Sequence, residues 1–341
     1  MSSLRRLATM LALALAASAA AGHAQDLESL YRAGFEAFRT GETHKALELL
    51  GTVAAADADY RDVQLLLGQS CLAAGLPSAA KQHFERVLEA DPGNGHAAYL
   101  LGLALYQAAR YFEAARAFER ARELAPQNPY PSIYRGLALL RLGHPDEARG
   151  EIETALASAP EEPAARNALA ELELAAGELD SAEQIARGVI ADLPATQERF
   201  EATLLLGRIV YQAGRPAEAA AIFRQALTEG PERSDVLYLL SQALLRSGEA
   251  EAGQAFLERF RTRKALEEQV RVLEAAIKAD PDHPEPRIRL VRLLLEHRQT
   301  GSALRHLPVL RRLAPGDPRV RALDEEVERL RRESNVLDTE T

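Results

Sequence analysis

The residues able to do chemistry in this chain of 341 residues are eight His, one Cys and fifty Asp and Glu. A catalytic metal needs several such ligands to converge, commonly two His one helical turn apart, and covalent catalysis needs a nucleophile beside a base. The His lie dispersed along the chain, and no two stand at helical ligand spacing. No HExxH, GxSxG, phosphate-binding GxxxxGK[ST] or dinucleotide-binding GxGxxG run occurs. Cys71 is the only Cys and forms no internal disulfide. It stands three residues after Gly68, where a small buried hydrophobe is the ordinary reading and a redox thiol the alternative. The expectation is a protein that is not an enzyme, with no catalytic residue, metal or cofactor. The remaining candidates for function are side chains that bind: nine Tyr, with no Trp, and scattered Arg. Tyr offers a large contact area at low entropic cost and a hydrogen-bonding tip. Which Tyr share one surface depends on the elements that carry them.

Those elements are helices. The chain is 47% hydrophobic and only 5% aromatic, rich in Ala, Leu, Glu and Arg, and poor in strand formers. Its formal net charge of −9, with both signs interspersed, gives no electrostatic reason to hold nucleic acid or anionic lipid. Arg311, Arg312, Arg331 and Arg332 cluster, but Glu325, Glu326 and Glu328 lie among them, as on a solvated helix face.

A fixed period organises the helices. Gly34, Gly68, Gly102 and Gly136 are each 34 residues apart, Ala170 keeps the register, and Gly207 and Ser241 continue it after a three-residue slip. Pro92, Pro126, Pro160 and Pro194 keep the same step. Ala46, Ala80, Ala114, Ala148, Ala182 and Ala219 hold one place on the following helix, where a larger side chain would push paired helices apart; Gly253 breaks that series. Gly41, Gly75, Gly143, Gly177, Gly214 and Gly248 fall seven residues after the first small residue, where a helix must end at a C-terminal cap. Pairs of amphipathic helices are expected at 27–53, 60–90, 94–124, 128–158 and 162–192, with two more reaching 260.

The spacing then fails, because Pro231 to Pro281 is 50 residues. No Gly or Pro interrupts the run from Gly253 to Pro281, and Leu266, Val270, Leu273 and Ile277 recur at helical steps. One long helix over 250–279 is expected, with a kink near 261–264 as the alternative. Its apolar stripe needs cover from an eighth pair at 284–298 and 301–313 folding back, or from a second copy of the chain as a homodimer. Residues 261–315 thus form the continuation and eighth pair, 316–333 a capping helix over the last apolar face, and 334–341 a disordered tail.

Residues 1–24 stand apart: a basic start with Arg5 and Arg6, an apolar middle from Leu7 to Ala17, and small residues before Gln25. That pattern predicts a cleaved secretory signal, hence an exported, periplasmic protein, with an uncleaved anchor as the alternative. After removal no stable membrane span is expected.

The stretch YLLGLALYQAARYFEAARAFERARELAP, Tyr99 to Pro126, resembles the tetratricopeptide repeat, with its Leu-Gly pair, then an alanine, an aromatic and a proline, at a period of 34. The resemblance implies an all-α, right-handed helical solenoid of about eight helix pairs with a C-terminal capping helix. It also implies that the first helix of each pair lines a concave groove. The positions so assigned include Tyr31, Phe35, Phe38, Tyr99, Tyr106, Tyr130, Arg141, Arg208, Tyr211, Tyr238 and Arg246, which hold six of the nine Tyr. The lysine and asparagine pair with which some cytosolic members clamp a C-terminal carboxylate is missing. The implied function is a non-catalytic scaffold or adaptor of the bacterial envelope that binds a protein or peptide in the groove. The alternative is an accessory or glycan-binding component of a polysaccharide-processing or export system, which the lack of Trp disfavours.

Overall fold

The computed structural model describes residues 26–337 apart from 195, 196, 231 and 305. The expected secretory segment at 1–24 and the last four residues of the expected tail lie outside the described residues. Every described element is a helix. They form two compact units, one running to Ala213 and one from Gly214. Repeats contact only near neighbours, so no common core has to join the two ends of such a chain.

The first unit holds α1 (26–39), α2 (Thr43–Ala56), α3 (Val63–Ala73), α4 (Pro77–Ala90), α5 (Gly95–Gln107), α6 (Tyr111–Leu124), α7 (Tyr130–Leu142), α8 (Pro145–Ser158), α9 (Pro163–Ala176), α10 (Leu179–Asp192) and α11 (Gln197–Gln212). Proline opens α4, α8 and α9, where its fixed φ suits a first turn that has no partner for an N–H. The Asn94 side chain caps α5 by accepting from the Ala97 N–H at 2.9 Å. At the other ends, the six turn glycines are all left-handed, Gly143 at φ 79° among them. The third pair has no such glycine, and Ala109 takes the same conformation at φ 57°. The three-residue slip before the sixth pair accompanies a first helix of 16 residues, α11.

Packing explains why the marker residue is small. Leu50, Phe84, Phe118 and Ile152 recur at the 34-residue period on the second helices, all fully buried. A Cβ on Gly34, Gly68, Gly102 or Gly136 would come within 2.8 Å or less of the side chain on its own partner helix. Ala170 replaces glycine where the residue opposite, sixteen positions on, is Ala186, and both are fully buried. The alanines at 46, 80, 114, 148 and 182 are likewise inaccessible, as their place between paired helices requires. From α2 to α11 each helix packs on the next. The first helices α3, α5, α7, α9 and α11 also touch one another in succession, whereas no such contact joins successive second helices among the described residues. The first helices are therefore the closely spaced layer, and they present a continuous surface.

The second unit holds α12 (Pro216–Glu229), α13 (Ser234–Ser247), α14 (Ala250–Ala279), α15 (Pro284–Glu296), α16 (Thr300–Leu304), α17 (Leu307–Leu313) and α18 (Pro318–Leu337). Gly253, the odd residue of the alanine series, lets Leu245 approach: a Cβ there would lie 2.8 Å from Leu245 Cγ. The run without breakers is one continuous helix of 30 residues, α14. Val270, Leu273 and Ile277 of its stripe pack on a core built from Ile288, Val291, Leu295, Leu307, Leu310 and Val327, so α15 to α18 supply the cover. The structural reason for a second copy at this stripe falls away.

Two boundaries differ from expectation. The helix expected at 301–313 is broken into α16 and α17, because Pro308 lacks an N–H and its ring collides with a carbonyl four residues back, at Leu304 where α16 ends. The last helix runs to Leu337, so 334–337 continue it where a disordered tail is expected. That stretch contains no Gly or Pro to stop it.

Candidate partner-binding face

The first helices of the first unit carry nine of the eleven residues singled out from the sequence. Tyr31 on α1 is buried, its hydroxyl donating to Asp62 and its ring packed edge-on to Tyr60 at 5.7 Å with the Arg61 guanidinium over it at 5.1 Å. Burial and the Asp62 carboxylate push its phenol up to about 12. Tyr31 is thus a packing residue that closes the first repeat on the second. Phe35, in contrast, is 42% exposed, and Phe38 is half-buried against the first core.

The centre of the unit is an aromatic row spanning α5, α6 and α7. Tyr99 lies 6.3 Å from Tyr130 and 5.9 Å from Tyr134, and Tyr106 lies 6.3 Å from Tyr134 and 5.3 Å from Tyr111, all ring to ring. Phe118, fully buried, forms the floor: Tyr134 stacks on it at 5.7 Å and Tyr99 tilts against it at 6.0 Å. Tyr99, Tyr106 and Tyr134 are half-buried, while Tyr130 is 38% exposed. Burial raises the phenols of Tyr99, Tyr106, Tyr130 and Tyr134 above their ordinary range, so all four remain neutral hydroxyls at physiological pH. Sequence reasoning missed Tyr134, which packs on Tyr99, Tyr106 and Phe118. Its signal was present: Tyr130, Tyr134 and Arg141 follow at steps of four and seven, one stripe of α7.

Charged groups border the row. Arg141 pairs with Glu171 of α9 at 3.2 Å, and its charge reaches the Tyr106 phenol. The charges of Glu162, the residue that caps α9, and of Glu198 reach the Tyr130 phenol. The charge of Glu201 reaches Tyr134. Arg208 on α11 is exposed and Tyr211 half-buried.

In the second unit, Tyr238 on α13 is 44% exposed with its ring 5.2 Å from Phe260 of α14, and Arg246 is exposed on the same helix. Nothing described brings these two to one point with the aromatic row.

Other candidates resolve into packing. Cys71 is buried in an apolar cluster with Phe84 and Leu100, and burial pushes its thiol up to about 11, away from thiolate chemistry. Arg122, on the solvent side of α6 by sequence pattern, bonds the buried carboxylate of Glu151 at 2.9 Å, and Arg135 holds the same carboxylate from α7. Three helices meet at that carboxylate, so Arg122 is no inert surface position. Among the described residues, no group of His, Cys, Asp and Glu is placed to hold a metal ion, and no helix is long and apolar enough to cross a membrane.

Two family models, both described as Tetratricopeptide repeat, match the chain: one over residues 37–102, 72–133, 210–271 and 263–325, the other over 135–198. No curated protein sequence matches. Among solved structures, a tetratricopeptide repeat protein from Parabacteroides merdae is similar, at 18% identity and a TM-score of 0.57, covering 70% of this chain and 93% of that one. A human IFIT1 dimer with m7Gppp-AAAA is similar at 15% identity and a TM-score of 0.55, covering 84% and 80%. Identities this low carry the fold alone.

Proposed function

The chain belongs to the tetratricopeptide repeat family, and from that premise we propose that it is a non-catalytic adaptor that binds a protein or peptide along its first-helix face. Repeat stacks of this kind expose extended surfaces in place of pockets, and those surfaces suit extended or helical segments of other proteins. One observation carries the reading: Tyr99, Tyr106, Tyr130 and Tyr134 form one ring-to-ring row across neighbouring first helices, with Tyr130 open to solvent. Rigid, half-buried aromatics with polar tips are what binding hot spots are made of. Arg141, Arg208 and Tyr211 extend the same face, and Phe35 and Phe38 continue it toward the first repeat. Tyr238 and Arg246 serve the corresponding face of the second unit.

The adaptor works in the bacterial envelope, in this proposal, because residues 1–24 have the basic, apolar and small-residue order of a cleaved secretory signal. Cell fractionation and N-terminal sequencing of the mature chain test this part.

Affinity purification from an envelope fraction tests the binding face. Tyr130→Ala should weaken capture of the partner by about 1 to 3 kcal/mol while leaving helicity intact. Arg116→Ala, on the exposed side of α6, is the control and should capture it normally. A partner that Tyr130→Ala and Phe35→Ala both retain at wild-type affinity would remove the face from consideration.

A further inference from the structure

We propose that the occupant of this face in the first unit is an extended protein segment bearing Lys or Arg, with one such side chain seated over the Tyr130 ring between Glu162 and Glu198. The inference rests on the binding role proposed above and adds the chemistry of the partner.

The ring is held in place. Tyr99 packs 6.3 Å from it on one side, and it stands at the start of α7, yet 38% of the residue remains open to solvent. An aromatic ring so fixed offers a cation its negative face without having to be ordered first. The flanking groups are carboxylates. Glu162 caps α9, Glu198 lies in the first turn of α11, and Glu201 follows within the next turn toward Tyr134.

The cations of the face do not cancel this field. Arg141 is engaged by Glu171 at 3.2 Å. Arg208 lies about two helical turns beyond Glu201 along α11, at the other edge of the face. Glu162 and Glu198 thus stand at the end where Tyr130 is exposed, with Arg141 engaged by Glu171 and Arg208 at the opposite edge. An acidic segment would meet like charge there. A basic segment meets carboxylates at the rim and π faces on the floor, a complementarity that sets partner choice and association rate.

A random decapeptide display library panned on the mature chain tests the proposal. Enriched peptides should carry an excess of Lys and Arg. A synthetic copy of the strongest should bind Glu198→Gln about 3- to 10-fold more weakly, with an unchanged melting temperature. Its affinity should also fall as salt is raised from about 0.05 to about 0.5 M. Enriched peptides that are neutral or acidic, and whose binding still depends on Tyr130, would overturn this inference and leave the binding face standing. Peptides indifferent to Tyr130→Ala, or no enrichment at all, would overturn both.

Discussion

The ring of Phe118 occupies the space that a side chain on Gly102 would need: a Cβ there would lie 2.5 Å from two of its ring carbons. Phe118 is fully buried and also forms the floor beneath Tyr99 and Tyr134, so one contact joins the repeat's packing rule to its candidate binding face.

Gly102→Ala should therefore destabilise the chain by about 1 to 3 kcal/mol, since overpacking outweighs the better helix propensity of Ala. In a Phe118→Ala background the same change should become neutral or stabilising, because the obstructing ring is gone and the propensity gain remains. Urea unfolding of the four members of this cycle reads the coupling. Equal effects in both backgrounds would show that ring and glycine do not compete for space.

Ala109 has the left-handed conformation that glycine has in six other repeats, and the following N–H, of Arg110, closes the turn on the Leu105 carbonyl at 2.9 Å. A Cβ in that region costs about 1 to 2 kcal/mol, part of which glycine returns as extra freedom in the unfolded chain. Ala109→Gly should raise stability by about 0.5 to 1 kcal/mol, measured as a higher denaturation midpoint at constant slope. Gly143→Ala, the reverse change at φ 79°, should lower it.

Tyr31 predicts an alkaline weakness. Burial and the Asp62 carboxylate favour its neutral form, and the folded-state value of about 12 lies above that of an exposed phenol near 10. Its contribution is fully present below about pH 10 and is lost as pH rises through about 12, because the folded state then resists ionisation that the unfolded chain accepts. Melting temperatures across that window should fall less steeply for Tyr31→Phe than for the wild type. Parallel curves would show that Tyr31 ionises alike in both states.

The sequence alone determined the repeat: where helices start, turn and pair, and that α14 would run long. These are demands on the backbone and on the first carbon of the side chain. A left-handed turn at Gly143, a missing N–H at Pro145 and a lack of space at Gly102 each select a residue type, so spacing records them. The same logic was available at Pro308, whose missing N–H breaks the last helix pair, but a regular period drew the expectation past it. What only the tertiary structure decided is which side chains meet. Tyr31 faces inward because Asp62 and Tyr60 arrive from the next repeat. Arg122 is committed because Glu151, 29 residues on, is buried beside it. Tyr134 becomes the centre of the aromatic row because α5 and α6 bring Tyr99, Tyr106 and Phe118 to it. Each of these environments is supplied by neighbouring helices, about 16 to 35 residues away in a repeat of this period, and the period constrains the spacing of helices without specifying the partner that any one side chain finds.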